Sequence, residues 1–108
     1  MRSITEVNDI ILEIKSYLLK LYKARIKYLI VYGSFARNEA TEDSDIDLLV
    51  VVDDDLDPLE VEDSLNDFLF KILLERGELI SIMAIPEGIF KNYNSPFLIN
   101  AREDGVSL

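Results

Sequence analysis

The sequence predicts an α+β fold, in which a mixed β-sheet is flanked by helices in the order α-β-α-β-α-β-α. Two observations favour this class. Apolar residues recur at helical spacing through long segments, and three short apolar runs rich in valine, isoleucine and leucine alternate with those segments. The chain has 108 residues, of which 49% are hydrophobic, and no linker-like stretch, so we expect one domain over residues 1–108.

The first helix is predicted to begin after Ser3, because Ser3 and Glu6 have the spacing of a capping box. Apolar residues then follow a helical pattern that ends near Lys23 or Arg25. The helix dipole favours basic residues at this end, which also include Lys20. Alternatively, these residues form a basic patch that binds a partner or a nucleotide.

A strand and a tight turn are predicted to follow the first helix. Residues 28–32 are aromatic or branched aliphatic, which favours a strand that ends at Gly33. Residues 34–37 are expected to begin a short helix. Asn38 is expected to adopt the left-handed conformation, which asparagine tolerates better than most residues.

The rest of the chain predicts two more strands and three more helices. The helix after the central strand has clear boundary signals, since Asp57 is a suitable N-cap, Pro58 a suitable first residue and Gly77 a suitable terminator. The predicted elements are a strand over residues 45–52, this helix, a strand over residues 79–85, and helices over residues 86–92 and 95–104.

Asp45 and Asp47 open the central strand and are the leading candidates for a functional site. Alternate side chains of a strand share a face, so the two carboxylates lie on one face, roughly 6–7 Å apart along the strand. Carboxylates held this close repel each other unless a cation lies between them, and such oxygen ligands suit Mg²⁺ that also binds substrate phosphates. Gly33 and Ser34 offer backbone N–H groups and a hydroxyl to those phosphates. The pattern therefore indicates nucleotide chemistry.

Pairs of this kind also arise by chance in an acidic chain. Asp-x-Asp occurs four times among 21 acidic residues, at positions 43/45, 45/47, 53/55 and 55/57. Only the 45/47 pair stands at the head of an apolar strand and follows a strand-Gly-Ser turn. The alternative is a solvated acidic face, and we expect that role for residues 53–55 and Asp57.

Composition and charge exclude several kinds of chemistry. The chain has no cysteine and no histidine, which excludes a thiolate nucleophile, a Ser-His-Asp triad and the usual zinc sites. The formal charge of −10 is uneven, because residues 1–37 carry seven bases and three acids whereas residues 38–70 carry thirteen acids and no base. Such a negative potential attracts divalent cations and repels a nucleic-acid backbone, so we expect no direct non-specific nucleic-acid binding.

Residues 33–37 (Gly-Ser-Phe-Ala-Arg) and 44–50 (Ser-Asp-Ile-Asp-Leu-Leu-Val) resemble the signature of the minimal nucleotidyltransferases of the DNA polymerase beta superfamily. The likeness is greatest to MNT/MntA-type antitoxins, which are paired with HEPN-domain toxins, and residues 95–108 are similar to the closing helix and tail of that family. The resemblance implies a polymerase-beta-like palm fold. It also implies transfer of AMP from ATP to a hydroxyl, with a tyrosine of a HEPN partner as the acceptor.

The same resemblance implies roles for five residues. Asp45 and Asp47 would be catalytic and would bind Mg²⁺ or Mn²⁺. Gly33, Ser34 and Arg37 would bind the nucleotide. A lone arginine in this place is alternatively an exposed residue paired with a neighbouring glutamate.

The chain departs from the family pattern at Ser81, where members that catalyse usually carry a third carboxylate. Glu78 has the opposite strand parity, and Asp53 lies about 20 Å further along the strand than the Asp pair, so neither is a convincing substitute. Two other functions therefore stay open. One is a binding module that neutralises a HEPN partner by contact, and the other is a nucleotidyltransferase of small molecules, which the lack of a second lobe disfavours.

The chain has no apolar run of membrane-spanning length and no signal-peptide pattern at its start, so we expect a cytoplasmic protein with no membrane association. The five tyrosines are expected to be core or interface residues, without a chemical role.

Overall fold

The structure, a computed structural model, describes residues 1–107. Within this range the predicted fold class is confirmed, because a mixed sheet of four strands is flanked by four α-helices. Leu108, the last residue of the predicted tail, lies outside the described residues. The elements are, in chain order, α1 (Ile4–Tyr22), β1 (Ile26–Tyr32), β2 (Ile46–Val52), α2 (Pro58–Arg76), β3 (Ile80–Pro86), α3 (Glu87–Asn92), α4 (Pro96–Asp104) and β4 (Val106–Ser107).

The strands follow the order β3-β2-β1-β4 across the sheet. β1 is antiparallel to both β2 and β4, whereas β2 and β3 are parallel because α2 carries the chain back between them. β2 therefore has a neighbour on each side, and its residues from Leu48 to Val52 are all buried. This enclosure explains why β2 is apolar on both faces.

The two faces of β2 belong to two apolar clusters. Its even-numbered residues pack with buried residues of α1 and α2. Leu49 and Val51 pack on the other face with Phe90 of α3 and Leu98 of α4. Asp47 is also odd-numbered, so it lies on this second face, and it is the one residue of β2 that is only partly buried. The acidic side chain thus lies where the cover of α3 and α4 ends.

The predicted boundaries of α2 are confirmed. The Asp57 carboxylate accepts a hydrogen bond of 2.9 Å from the N–H of Leu59, and Pro58 is the first helical residue. Gly77 ends the helix in the left-handed conformation, with φ of 68°. These local signals fix where the crossover ends and β3 begins.

The capping box predicted for α1 does not form. Ser3 occupies the N-cap position, but its side chain makes no capping hydrogen bond. Glu6 pairs instead with Arg2, with 3.3 Å between Oε2 and Nε, because a full positive charge competes with the backbone for the carboxylate. The helix ends before a single 3-10 turn over Lys23–Arg25, close to the predicted end.

The short helix predicted after β1 is also absent, and this segment forms a series of hydrogen-bonded turns. The N–H groups of Arg37 and Glu39 donate to the carbonyls of Gly33 (3.2 Å) and Ser34 (2.9 Å). Asn38 adopts a φ of 58°, as predicted, and this left-handed residue stops the turn before a helix can propagate.

The sequence pattern does not predict β4, which consists of two residues that pair with β1. Gly105 precedes it and lets the backbone approach Ala101 and Ile30 closely, because an added Cβ would clash with the Ala101 carbonyl and with the Ile30 side chain. A two-residue strand carries no periodicity, so only the fold reveals it.

Candidate functional site

Gly33, at the end of β1, lies directly against the carboxylate of Asp47. Its φ of 74° is in the left-handed region that favours glycine. A Cβ added to Gly33 would overlap a carboxylate oxygen of Asp47 and lie 3.1 Å from its Cγ. The position therefore requires glycine both for its backbone conformation and for space. The predicted turn and the predicted acidic strand meet here.

Asp47 is at the centre of this arrangement. In the sheet it pairs with Tyr32 of β1 on one side and with Ser81 of β3 on the other. Asp45 lies just before the strand and is exposed. Burial, and then the negative charge of Asp45, raise the pKa of Asp47, whereas the positive charge of Arg37 lowers it. The fold thus holds the ionised Asp47 carboxylate where negative charge is disfavoured.

Two carboxylates in this environment fit part of a divalent-cation site. Mg²⁺ takes oxygen ligands and is usually held by one or two carboxylates together with substrate phosphates and waters. Asp45 and Asp47 supply this number of carboxylates. Among residues 1–107, no group of three or more acidic, histidine or cysteine side chains could hold a metal ion. The donor set therefore fits a cation whose other ligands are phosphate oxygens and water.

Ser81 pairs with Asp47 across the parallel strands, and it is the position where the family resemblance leads us to expect a third carboxylate. It is exposed and carries no charge. Glu78 does not replace it, because Glu78 is held by Arg2 in a two-pronged salt bridge. Asp53 lies beyond the far end of β2 and accepts a backbone hydrogen bond there.

A cleft of about 240 Å³ opens next to the turn. This volume is below the ~300–1,000 Å³ of typical small-molecule sites, so the cleft fits one portion of a nucleotide. Arg37 is exposed at the cleft and pairs with Glu39, with 3.3 Å between Nε and Oε2. The cleft lies between the end of β1 and α4, and is lined by Tyr32, Gly33, Arg37, Phe97, Asn100, Ala101 and Asp104.

The sequence patterns identify Gly33 and Arg37 in this cleft but miss the other five lining residues, among them Tyr32. Its ring packs edge-on against Phe97, with 5.2 Å between the ring centroids. Burial, and then the negative charge of Asp47, raise the pKa of the Tyr32 hydroxyl, so it stays protonated and available as a donor. The one signal in the sequence is its position immediately before Gly33, since the pairing with Asp47 depends on the strand register.

A second cleft, of about 310 Å³, is a poorer candidate for a phosphate site. It is lined by Met1, Arg2, Glu6, Thr41 and Glu42. Its one basic lining residue, Arg2, is already bound by Glu6 and Glu78. The cleft beside Gly33 is therefore the better site for phosphate.

Comparison with known proteins places this chain in a family. Residues 11–104 match the family model described as a nucleotidyltransferase domain. Two proteins of Methanocaldococcus jannaschii, named as candidate protein adenylyltransferases, are similar in sequence. One is 40% identical over 85 residues, which are 78% of this chain and 79% of that protein. The other is 44% identical over 72 residues, which are 64% of this chain and 71% of that protein.

The fold also matches a solved structure. A chain of a mutant of the toxin–antitoxin MntA–HpeT aligns with a TM-score of 0.54 and 17% sequence identity, over 87% of this chain and 68% of that chain. The chain described here therefore belongs to the nucleotidyltransferase domain family, and its enzyme class is nucleotidyltransferase. This confirms the resemblance to minimal nucleotidyltransferases that the sequence indicates.

Proposed function

We propose that this protein transfers AMP from ATP to a tyrosine hydroxyl of a HEPN-type toxin and so acts as its antitoxin. The contact between Gly33 and Asp47 carries the proposal, because it brings the turn that we propose to bind phosphate against the acidic strand. Family membership supports nucleotidyl transfer. The names of the two relatives support AMP as the group and a protein as the acceptor. The structural match to a toxin–antitoxin chain supports the antitoxin role.

In this proposal the nucleotide phosphates lie on the turn. Backbone N–H groups next to Gly33 and the Ser34 hydroxyl bind phosphate oxygens. Arg37 leaves Glu39 and binds a further phosphate oxygen, at little cost because an exposed ion pair contributes only about 0–1 kcal/mol. The phosphate end of the nucleotide thus lies in the cleft between Gly33 and α4.

Asp45 and Asp47 hold a divalent cation, Mg²⁺ or Mn²⁺, in the proposed site. Nucleotidyltransferases of this family generally use a divalent metal. When bound, such a cation offsets the charge of the carboxylates and phosphates. The chain itself contributes orientation: β2 fixes Asp47, Gly33 leaves room for its carboxylate and Tyr32 covers one side of it.

The proposed reaction is a displacement at the α-phosphate of ATP. The acceptor hydroxyl loses its proton to water as its oxygen forms a bond to this phosphorus, the bond from phosphorus to the bridging oxygen breaks, and pyrophosphate leaves. A protein acceptor suits the site because residues 38–70, which include the Asp pair, hold thirteen acids and no base. This charge repels a nucleic-acid backbone and favours a partner with a basic surface.

We propose a cytoplasmic location, because ATP is the donor in this reaction. Within the described part of the chain, no helix is long and apolar enough to cross a membrane.

Incorporation of label from α-phosphate-labelled ATP into the co-expressed partner tests the proposal. Wild type is expected to label the partner. Asp47→Asn is expected to label it at least about a hundredfold less, since even indirect changes at metal sites cost about 10–100-fold. The control is Asp43→Asn, an exposed acid outside the cleft, which should label as wild type does. Equal labelling by Asp47→Asn and wild type would overturn the proposal.

Ser81 favours a second candidate function, a module that binds and neutralises the partner without transfer. An uncharged residue beside Asp47 leaves the cation with one carboxylate fewer than in members of the family that catalyse. A stable complex of wild type with its partner, together with no label transfer, would support this second function.

A further inference from the structure

β3 is an edge strand whose outer side is closed over part of its length. In the sheet formed by residues 1–107, β2 is its one neighbour. The N–H of Ala84 donates to the Glu62 carboxylate of α2 at 2.9 Å, and Pro86 has no N–H to donate. Edge strands are commonly blocked in this way against pairing with another chain. The second half of β3 is therefore closed to a further strand.

The first half of the same edge pairs with no second strand among residues 1–107, and we call it the open half. The N–H and C=O groups of alternate residues in a strand point to the same side. The Leu79 carbonyl accepts a hydrogen bond of 3.0 Å from the N–H of Ile46 in β2, which shows that odd-numbered positions face β2. Ala84, which bonds to α2, shows that even-numbered positions face outward. Ile80 and Ile82 therefore direct their main-chain groups away from the sheet.

This open half of the edge lies beside the candidate site. Ser81, between the two outward-facing residues, pairs with Asp47. Leu79 and Met83, which flank Ser81 at alternate positions, are 52% and 40% exposed. Apolar side chains thus stand on both sides of a small residue, next to a carboxylate of the site.

We propose that the acceptor segment of the partner binds here as an added β-strand, hydrogen-bonded to the main chain of Ile80 and Ile82. The inference rests on the proposed transfer to a protein hydroxyl and specifies how that hydroxyl is presented. Main-chain bonds align the segment, as in other cases of strand addition. Its apolar side chains cover Leu79 and Met83, and the residue between them points across Ser81 towards the site.

The spacing of strands selects the side chain that is presented. Neighbouring strands lie ~4.7–4.9 Å apart, so an added strand lies roughly 9–10 Å from β2. A tyrosine side chain reaches much further across this interval than serine or threonine, and the small side chain of Ser81 leaves its path clear. The acidic surroundings, with thirteen acids and no base in residues 38–70, favour basic residues on either side of the tyrosine.

Amide hydrogen exchange, followed by NMR, tests docking without requiring transfer. The probe is a blocked peptide, Lys-Val-Tyr-Val-Lys, added to saturation. Exchange at Ile82 is expected to slow by about fivefold or more, as gain of one main-chain hydrogen bond implies. Exchange at Ala84, which already donates to Glu62, is expected to stay unchanged. Failure of the peptide to bind, or unchanged exchange at Ile82 when it is bound, would overturn the proposal.

A matched pair of variants tests the same edge by label transfer to this peptide. Ile82→Pro removes the outward N–H and is tolerated on an edge strand, whereas Ile82→Ala keeps the N–H and shortens the side chain. The KM for the peptide is expected to be about fivefold higher for the proline variant than for the alanine variant, with equal affinity for ATP. Equal KM values would overturn the docking proposal. Slowed exchange at Ile82 without any transfer by wild type would uphold docking and overturn the proposed function.

Discussion

At the scale of single residues, two glycines have positive φ, but only one of them also lies against a residue of the candidate site. Gly77 (φ 68°) ends α2 with nothing within 4 Å of an added Cβ, whereas Gly33 (φ 74°) faces the Asp47 carboxylate. Gly77→Ala is expected to cost about 1–2 kcal/mol, the penalty for an L-residue in this conformation. Gly33→Ala is expected to cost about 1–3 kcal/mol more, because Asp47 must also move.

Urea unfolding and ATP titration measure both effects. Gly33→Ala should lower the free energy of unfolding further than Gly77→Ala and should weaken ATP binding, while Gly77→Ala should bind ATP as wild type does. If the two variants lose equal stability and both bind ATP normally, the contact with Asp47 has no functional role.

Ser81 gives a second prediction at this scale. Because it is exposed beside Asp47, an aspartate there adds a carboxylate with no burial cost. Without metal, Ser81→Asp is expected to lose about 0.5–1 kcal/mol of stability through repulsion across the strands. With Mg²⁺ and ATP, it is expected to transfer AMP faster than wild type, because it restores the third ligand.

The control for this variant is Ser81→Asn, which has the same shape without the charge. Transfer by Ser81→Asn should be no faster than by wild type. A wild type that transfers rapidly and gains nothing from Ser81→Asp would mean that the site needs no third carboxylate from this strand.

At the scale of elements, two N-cap residues that the sequence predicts differ in the structure, and they should differ in their contribution to stability. Asp57 accepts a hydrogen bond from Leu59, whereas Ser3 makes no side-chain capping bond. Asp57→Ala is expected to cost about 1 kcal/mol, within the ~0.5–2 kcal/mol range of lost N-caps. Ser3→Ala is expected to change stability by less than about 0.5 kcal/mol. Thermal or urea unfolding compares the two, and a larger loss for Ser3→Ala would contradict the structure.

The same elements show what can be predicted from the sequence. The bounds of α2 follow from local signals, because Asp57, Pro58 and Gly77 act within one turn of the helix ends. The turn after Gly33 is mispredicted as a helix, because the few residues before the left-handed Asn38 are too short a segment to propagate one. β4 depends on contact with β1, which is distant in sequence.

Some residues of the candidate site can likewise be identified from sequence spacing, whereas others come together only through the fold. Spacing in the sequence is enough to select Asp45 and Asp47 as a pair, although β2 begins at Ile46, so that Asp47 lies in the strand and Asp45 just before it. Tyr32 and Phe97 come together only when α4 packs beside the end of β1, so no periodic pattern identifies them. The position of Ser81 beside Asp47 depends on a parallel register, which follows once β3 is aligned with β2.

At the scale of the whole molecule, basic residues of the N-terminal part contact groups in the acidic part that follows. Arg2 pairs with Glu78, which ties the start of the chain to the residues before β3. Arg25 donates a hydrogen bond of 3.1 Å to the Asp55 carbonyl. It is one of the bases that the sequence predicts either to complement the helix dipole or to form a patch for a partner. At least this base therefore has a structural role, and the acidic surface around the Asp pair suits the proposed cation and the proposed basic partner.

We propose that Asp45, Asp47 and the turn at Gly33 form one site for a divalent cation and a nucleotide. Thermal melting with and without Mg²⁺ and ATP tests it most directly. At a hundredfold excess over Kd, a ligand specific for the native state adds about 2.7 kcal/mol. For a protein of this size, that corresponds to a rise in Tm of roughly 10 °C or more.

Wild type and the control Asp43→Asn are expected to show this rise, and Asp45→Asn/Asp47→Asn is expected to show none. Without metal, the double variant should melt above wild type. The fold raises the pKa of Asp47, so the ionised carboxylate destabilises the native state at neutral pH. Asparagine removes that charge and its cost. An equal rise in Tm for wild type and the double variant would contradict the account.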